Sequence, residues 1–291
     1  MGAALRPRAI VGATALVVLA GACGSGHRAP ISAATTTSTP RVFSTVAPVA
    51  TSTTSPPPPP TAGTTRPAPP PTTAKPSTGT TAGCPRNLAE SLASTGAASE
   101  LITVAAPTAS TTTAAVTLWS HAGPCWEMSA GPWPGRIGTN GFSNHHREGD
   151  GTTPTGRFGI ESLAYGNAPN PGYRGAYHLL TCGDWWDEDP ASPDYNTFQH
   201  VSCGTPPPFG GDSEALWTET NAYPSFVVVE YNTYEPVPYA GSAIFVHADI
   251  GTATTGCVSI PLADLDQLLR WLDPAASPEI VLGPASELPA F

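Results

Sequence analysis

The sequence predicts a mainly β domain, built as a mixed β-sheet or β-sandwich, with a C-terminal helix packed on it. Short alternating or β-branched segments, separated by Ser, Thr, Gly and Pro, recur from residue 101 onward. The segments FVVVEYN and SAIFVHA, residues 226–232 and 242–248, are apolar runs typical of strands buried on both faces. The helix is predicted from PLADLDQLLRWLDP, residues 261–274, where leucines recur at helical spacing between two prolines.

The remaining elements follow from local patterns. PRNLAESLAS, residues 85–94, predicts a short helix. LITVAA, TTTAAVTLW and CWEMSA, between residues 101 and 130, predict three successive strands, and PEIVLG, residues 278–283, predicts a last one. The leucines expected on the buried face of the C-terminal helix are Leu262, Leu265, Leu268, Leu269 and Leu272.

Residues 1–23 have the layout of a secretory signal peptide. Two arginines precede an apolar run of roughly a dozen residues and then small residues. The run is shorter than the about 20 residues that span a bilayer, which favours cleavage over a permanent membrane helix. The ending LAGAC resembles a bacterial lipobox, in which Cys23 would be the lipidated first residue of the mature chain. We expect an exported protein of the cell envelope, held by lipid at the outer face of the cytoplasmic membrane, or else secreted with Cys23 removed.

Residues 24–83 are rich in Thr, Ser and Pro and almost free of large apolar side chains. Such a composition cannot offset the entropy of ordering, so it predicts a disordered linker. The domain that follows, residues 84–291, holds 6 basic and all 22 acidic residues, a net charge of −16 with histidine neutral. This charge excludes nucleic acid and other polyanions as expected partners.

The sequence contains six cysteines: Cys23, Cys84, Cys125, Cys182, Cys203 and Cys257. Disulfides are expected in an exported protein. If Cys23 is lipidated or removed, an odd number remains and at least one thiol is unpaired. Sequence proximity favours a pair of Cys84 with Cys125. It likewise favours Cys182 with Cys203, which leaves Cys257 free, although other pairings stay open.

His247 and Cys257 form a candidate nucleophile and base. His247 closes an apolar strand, and Cys257 follows ten residues later within GTATTGCVSI. A cysteine nucleophile needs a base, a group that orients the base, and donors for the oxyanion. Gly256 would let the backbone turn tightly beside Cys257, and the N–H groups around Thr255 and Gly256 are candidate donors. A structural His and Cys pair inside a core is the alternative reading of the same residues.

The stretch SAIFVHADIGTATTGCVSI, residues 242–260, resembles the active-site motif of the L,D-transpeptidase (YkuD-like) catalytic domain family, here in an exported lipoprotein form. REGDGTTPTGRFGI, residues 147–160, is similar to the turn and strand that precede that motif in the family. DWWDEDPASPDYNTFQH, residues 184–200, resembles an acidic and aromatic segment between the two. The resemblance covers roughly residues 100–284 in the same order.

By this resemblance, Cys257 is the nucleophile, His247 is the general base, and the carbonyl of Ala248 orients His247. Two positions depart from the family pattern. Thr255 stands where the family has a second histidine, so any role of a second imidazole is lost. Ser259 stands where an arginine is common, which puts in doubt the recognition of a substrate carboxylate there.

The implied activity is acyl transfer on peptidoglycan stem peptides, through a thioester on Cys257 and without a cofactor. A histidine that lowers the thiol pKa would suit this chemistry. Carbapenems are candidates for an adduct at Cys257. The alternatives are an L,D-carboxypeptidase, in which water is the acceptor, and a catalytically reduced wall-binding or structural lipoprotein of the same fold.

Substrate contacts are predicted in the acidic and aromatic segment. Asp187, Glu188 and Asp189 are candidates for an ammonium group of the acceptor, and Trp185 is a candidate stacking residue. Tyr231 ends a strand expected beside the His247 strand. No metal site is predicted, because the adjacent His145 and His146 lack a set of ligands with zinc-like spacing.

Overall fold

The computed structural model describes residues 83–291. The predicted signal peptide with Cys23, and the linker up to residue 82, lie outside the described residues. None of the helices in residues 83–291 is long and apolar enough to cross a bilayer. The strands are β1 (Glu100–Ala106), β2 (Thr113–Ala122), β3 (Cys125–Arg136), β4 (Phe142–Ser143), β5 (Thr153–Pro154), β6 (Gly156–Gly166), β7 (Ala176–Leu179), β8 (Asp184–Asp187), β9 (Thr197–His200), β10 (Glu214–Ala215), β11 (Phe226–Val229), β12 (Phe245–Ala248), β13 (Val258–Ile260) and β14 (Glu279–Pro284). The α-helix is α1 (Leu262–Trp271), and short 3-10 turns lie at Ala89–Ser91, Leu216–Thr218, Pro274–Ala276 and Leu288–Ala290.

The predicted mainly β architecture is confirmed. Nine strands form one mixed sheet in the order β11-β12-β13-β3-β2-β1-β14-β6-β7. Strand β11 also pairs with β6, so eight of these strands form a closed ring and β7 extends from it. Closure gives each strand of the ring two neighbours, which removes exposed edges within the ring. Strands β8, β9 and β10 form a separate small sheet that carries the acidic and aromatic segment.

Side-chain alternation along β12 and β13 separates the core from the candidate site. The two strands are parallel neighbours, with His247 opposite Ser259. Val246 and Val258 pack into the main core with the leucines of α1. Because successive side chains point to opposite faces, His247 and Cys257 lie on the other face.

The C-terminal helix is confirmed, with Pro261 directly before it. Its leucine face packs on the main core, but Leu262 is 48% exposed, so its assignment to that face was wrong. Leu262 is the first helical residue. The short helix predicted for residues 85–94 is confirmed only in part, because a 3-10 helix covers just Ala89–Ser91. A segment of three residues is too short to form the successive i to i+4 hydrogen bonds of an α-helix.

Both predicted disulfides are present, Cys84 with Cys125 and Cys182 with Cys203. The first ties the start of the described chain to β3, and the second ties the segments on either side of β8 and β9. Cys257 is free and buried.

Candidate active site

The turn that presents Cys257 is held by hydroxyl groups. Thr254 Oγ1 donates to the carbonyl of Cys257 at 2.6 Å and accepts the N–H of Gly256 at 3.2 Å. The Gly256 N–H, a predicted oxyanion donor, is therefore engaged in this structure. A Cβ on Gly256 would lie 3.1 Å from Ile244 Cδ1 and 3.2 Å from the Thr152 carbonyl oxygen. Close packing, rather than a left-handed backbone, is what requires glycine here.

Thr153, in the segment TTP at residues 152–154, contacts the turn that presents Cys257. Its side chain is fully buried, and its Oγ1 donates to the carbonyl of Gly256 at 2.7 Å while it accepts the N–H of Gly138 at 2.8 Å. The predicted upstream motif thus contacts the nucleophile turn directly, through one hydroxyl.

Replacing Thr153 with valine is expected to lower the free energy of unfolding by about 2 kcal/mol, because two buried backbone groups lose their partner. Urea denaturation measures this change. Thr155→Val is the matched control, since the Thr155 hydroxyl is buried without a hydrogen-bond partner in residues 83–291 and its loss should cost little. Equal losses in the two variants would contradict the assigned role of Thr153.

His247 is only 6% exposed, and its Nδ1 lies 2.9 Å from the carbonyl oxygen of Ala248. A carbonyl only accepts, so Nδ1 carries the proton and Nε2 keeps its lone pair. Burial lowers the pKa of His247 to about 4, against the opposing effects of the Ala248 hydrogen bond and the Asp249 charge. The ring packs edge-on against Tyr223, with centroids 5.4 Å apart. At neutral pH His247 is therefore an uncharged imidazole.

The backbone after His247 is clamped from β3. Arg136 Nε donates to both carboxylate oxygens of Asp249, at 3.0 and 3.1 Å. The N–H of Asp249 donates to the carbonyl of Ile260 at 2.7 Å. These contacts fix the peptide whose carbonyl, that of Ala248, orients the imidazole.

The buried neutral His247 makes stability depend on pH. Its pKa is about 4 in the folded protein and near 6.5 when exposed, so the unfolded chain binds the extra proton first as pH falls. We expect the free energy of unfolding of the wild type, minus that of His247→Gln, to fall between pH 6.5 and pH 4. Urea denaturation at several pH values measures it, and a difference that stays constant would contradict the buried neutral imidazole.

Cys257 is 7% exposed, and its thiol makes hydrogen bonds to groups other than His247. Its Sγ donates to the carbonyl of Ala243 at 3.1 Å and accepts the N–H of Phe245 at 3.4 Å. Burial raises the pKa of Cys257, the charge of Glu214 adds to the rise, and the Phe245 hydrogen bond opposes it. Within residues 83–291, no hydrogen bond joins Sγ to the imidazole. The expectation that histidine lowers the pKa of this thiol was therefore wrong for the resting structure, because desolvation dominates.

Cys257 lies where two cavities meet. One has a volume of about 490 Å³ and the other about 270 Å³, and both are lined by Cys257, Thr255 and Glu214. His247 and Tyr223 line the smaller cavity. Further residues of the larger cavity include His146, Glu148, Asp150, Glu188 and Asp212. Cys257 thus lies between the two cavities.

The predicted substrate contacts divide in the structure. Glu188 lines the larger cavity, whereas Asp187 is fully buried and its Oδ1 accepts the N–H of Asp189. Asp189 holds the loop by accepting from the backbone of residues 191 and 210. Trp185 packs edge-on against two aromatic rings, and the Tyr231 hydroxyl donates to the carbonyl of residue 240. Among these, only Glu188 lines either cavity beside Cys257.

Several cavity residues were not predicted from the sequence. His146, Glu148 and Asp150 lie within the GDG turn or up to three residues before it, so the motif itself was a signal for them. Glu214 and Tyr223 belong to a segment without a recognisable motif. Their position depends on the small sheet, where β10 pairs with β8.

The fold and site define a mainly β domain in which a buried imidazole lies on β12 and a buried thiol lies directly before the adjacent strand β13. A family model described as the L,D-transpeptidase catalytic domain (YkuD) matches residues 109–281, which is more than half of the chain. The chain belongs to this family, whose members are L,D-transpeptidases, a class of acyltransferases. The search of curated proteins gave no significant match.

Proposed function

We propose that the protein is an exported cysteine acyltransferase that acts on peptidoglycan stem peptides by L,D-transpeptidation, with a thioester on Cys257. The observation that carries this proposal is the free thiol at the junction of two cavities, with His247 on one of them. Acyl transfer needs one path for the acyl donor and one for the acceptor. Two cavities that meet at one nucleophile provide both.

In the first step, Cys257 Sγ attacks the carbonyl of the bond between the third stem residue and a terminal D-Ala. The thiol proton moves to His247 Nε2 as the S–C bond forms. His247 returns that proton to the D-Ala nitrogen, the C–N bond breaks, and the thioester remains. In the second step an amine attacks the thioester, His247 accepts its proton, and the thiolate leaves and is reprotonated.

The protonation states of the site support this order of events. His247 is neutral and carries its proton on Nδ1, so the lone pair of Nε2 can accept a proton at pH 7. Cys257 is a neutral thiol at rest, so attack requires Sγ to leave the Ala243 carbonyl and turn towards the imidazole. The resting thiol is thereby held on the Ala243 carbonyl and away from the base.

The location that fits this function is the cell envelope, with lipid on Cys23 and the linker reaching from the membrane. The two disulfides agree with an oxidising compartment. Metabolic labelling with a fatty acid tests the lipid anchor, since Cys23→Ser should abolish the label and release the protein. A wild-type protein without label would exclude lipidation.

The test of the activity is intact mass spectrometry after incubation with a carbapenem, followed by exchange assays with stem tetrapeptides. We expect one adduct per chain in the wild type, none in Cys257→Ala, and release of D-Ala with an amine acceptor incorporated. D-Ala release with water as the only acceptor would identify a carboxypeptidase.

A wall-binding protein without turnover is favoured by one observation, the engagement of Sγ with Ala243 rather than His247. It predicts no adduct, no D-Ala release, and a thiol inert to alkylation in the folded protein. Binding to purified peptidoglycan would then be unchanged in Cys257→Ala.

A further inference from the structure

The larger cavity beside Cys257 is lined by acidic residues. Five carboxylates line it, and none of the described residues that line it is lysine or arginine. They are Glu148, Asp150, Glu188, Asp212 and Glu214. Like charges around one cavity repel each other, and little water screens them when they are buried.

Two of these carboxylates already accept several hydrogen bonds from the protein. Asp150 accepts the N–H groups of residues 147 and 152 and the Thr152 hydroxyl. Glu148 Oε2 accepts the hydroxyls of Tyr195 and Ser242. Asp150 is thus held within its own loop, and Glu148 is held by hydroxyl groups from two other segments.

Glu188 and Glu214 have fewer hydrogen-bond donors than Glu148 and Asp150. Oε1 of Glu188 is buried and has no hydrogen-bond partner within residues 83–291. Oε2 of Glu214 accepts only the Tyr223 hydroxyl, at 2.7 Å. A buried carboxylate oxygen without a donor is costly, so the arrangement fits a cavity whose donor arrives with a ligand.

The charges in the cavity also act on the nucleophile. Burial raises the pKa of Glu188 well above its ordinary range, and the charges of Glu214, Glu148 and Asp212 add to the rise. The pKa of Glu214 is raised as well, first by burial. Both carboxylates contribute to the raised pKa of Cys257. A positive charge among these groups would favour the ionised form of each.

We infer that Glu188 and Glu214 form a subsite for a primary ammonium group, and that an ammonium bound there activates the Cys257 thiol. An ammonium offers three donors, which suits the unpaired Oε1 of Glu188 and the neighbouring carboxylate of Glu214. By linkage, a cation that favours the thiolate must itself bind more tightly when the thiolate is present. The assignment of this ammonium to the acyl acceptor rests on the proposed function, where the bound ammonium must lose a proton before its nitrogen attacks the thioester.

The test is the second-order rate constant for alkylation of Cys257 by iodoacetamide at pH 8, in wild type, Glu188→Gln and Glu214→Gln. Removing one negative charge is expected to raise this rate about tenfold, which corresponds to a shift of about one unit in the thiol pKa. Methylammonium chloride should raise the rate of the wild type more than sodium chloride at equal ionic strength, and the double variant should not respond. Glu287→Gln, at an exposed residue outside both cavities, is the matched control and should be unchanged.

Rates in the glutamine variants equal to or below wild type, or equal effects of methylammonium and sodium in the wild type, would overturn the inference. The methylammonium measurement uses the unmodified protein, so it decides the matter even if a variant folds poorly. Alkylation needs no acyl transfer. A protein that shows the expected rates but forms no carbapenem adduct and exchanges no D-Ala would refute the proposed function alone.

Discussion

Replacing His247 with glutamine is expected to slow carbapenem acylation of Cys257 by about a thousandfold, within the range for loss of a general base. Burial holds the pKa of the thiol high, so almost no thiolate exists at neutral pH without proton transfer. Glutamine can keep a hydrogen bond to the Ala248 carbonyl through its amide, but it offers no basic nitrogen. The loss should therefore appear in the rate of acylation rather than in the fold.

Stopped-flow measurement of adduct formation at several carbapenem concentrations separates binding from the acylation step. His145→Gln is the matched control, because His145 is exposed and lines neither cavity. We expect its acylation rate to equal that of the wild type. A His247→Gln protein that acylates within threefold of wild type would show that another group takes the thiol proton.

The elements that position the site could be predicted from the sequence because their signals are local. Strands β11 and β12 are visible as apolar runs, and the spacing of the leucines in α1 indicates both a helix and its buried face. The disulfides were predictable from proximity along the chain, since each closes a moderate loop. The His247 and Cys257 pair could be selected because both lie in one continuous motif.

The electrostatics of the site could not be predicted, because they depend on chain segments far apart in sequence. Glu188 and Glu214 meet at Cys257 only after β8 and β10 pair. The raised pKa of the thiol follows from burial, which no motif records. The pairing of β11 with β6, which closes the sheet, could not be predicted either, because the alternation of side chains along one strand does not identify the strand it pairs with.

Asn196 is expected to give the largest stability effect, with a loss of about 4 kcal/mol on substitution by alanine, since four partners are left unpaired at once. Asn196 is 2% exposed, and its Oδ1 accepts Trp186 Nε1 at 2.9 Å and the Ala243 N–H at 3.0 Å. Its Nδ2 donates to the carbonyls of Tyr231 and Asn232. One side chain thus joins the acidic and aromatic segment to the end of β11 and to the approach to β12.

Urea denaturation of Asn196→Ala and Asn196→Gly separates the two causes of the loss. The backbone of Asn196 has φ 61°, which alanine adopts at a cost of about 1 kcal/mol and glycine adopts freely. We expect Asn196→Gly to be the more stable of the two by about that amount, and both to be far below wild type. A loss below about 1 kcal/mol in Asn196→Gly would refute the hydrogen-bond account, because a buried amide with four partners cannot be that cheap to remove.

Substitution of Asn196 should also change the reactivity of the Cys257 thiol. Ala243 has φ 52°, an unfavourable backbone for alanine, and its N–H is held by Asn196 while its carbonyl accepts the Cys257 thiol. Without Asn196 the peptide at Ala243 is free to relax, and Sγ loses a fixed acceptor. We therefore expect folded Asn196→Gly to alkylate at Cys257 several-fold faster than wild type in native buffer, because a thiol released from Ala243 is exposed more often. An unchanged alkylation rate would mean that the Ala243 carbonyl does not restrain the thiol, and that desolvation alone keeps it unreactive.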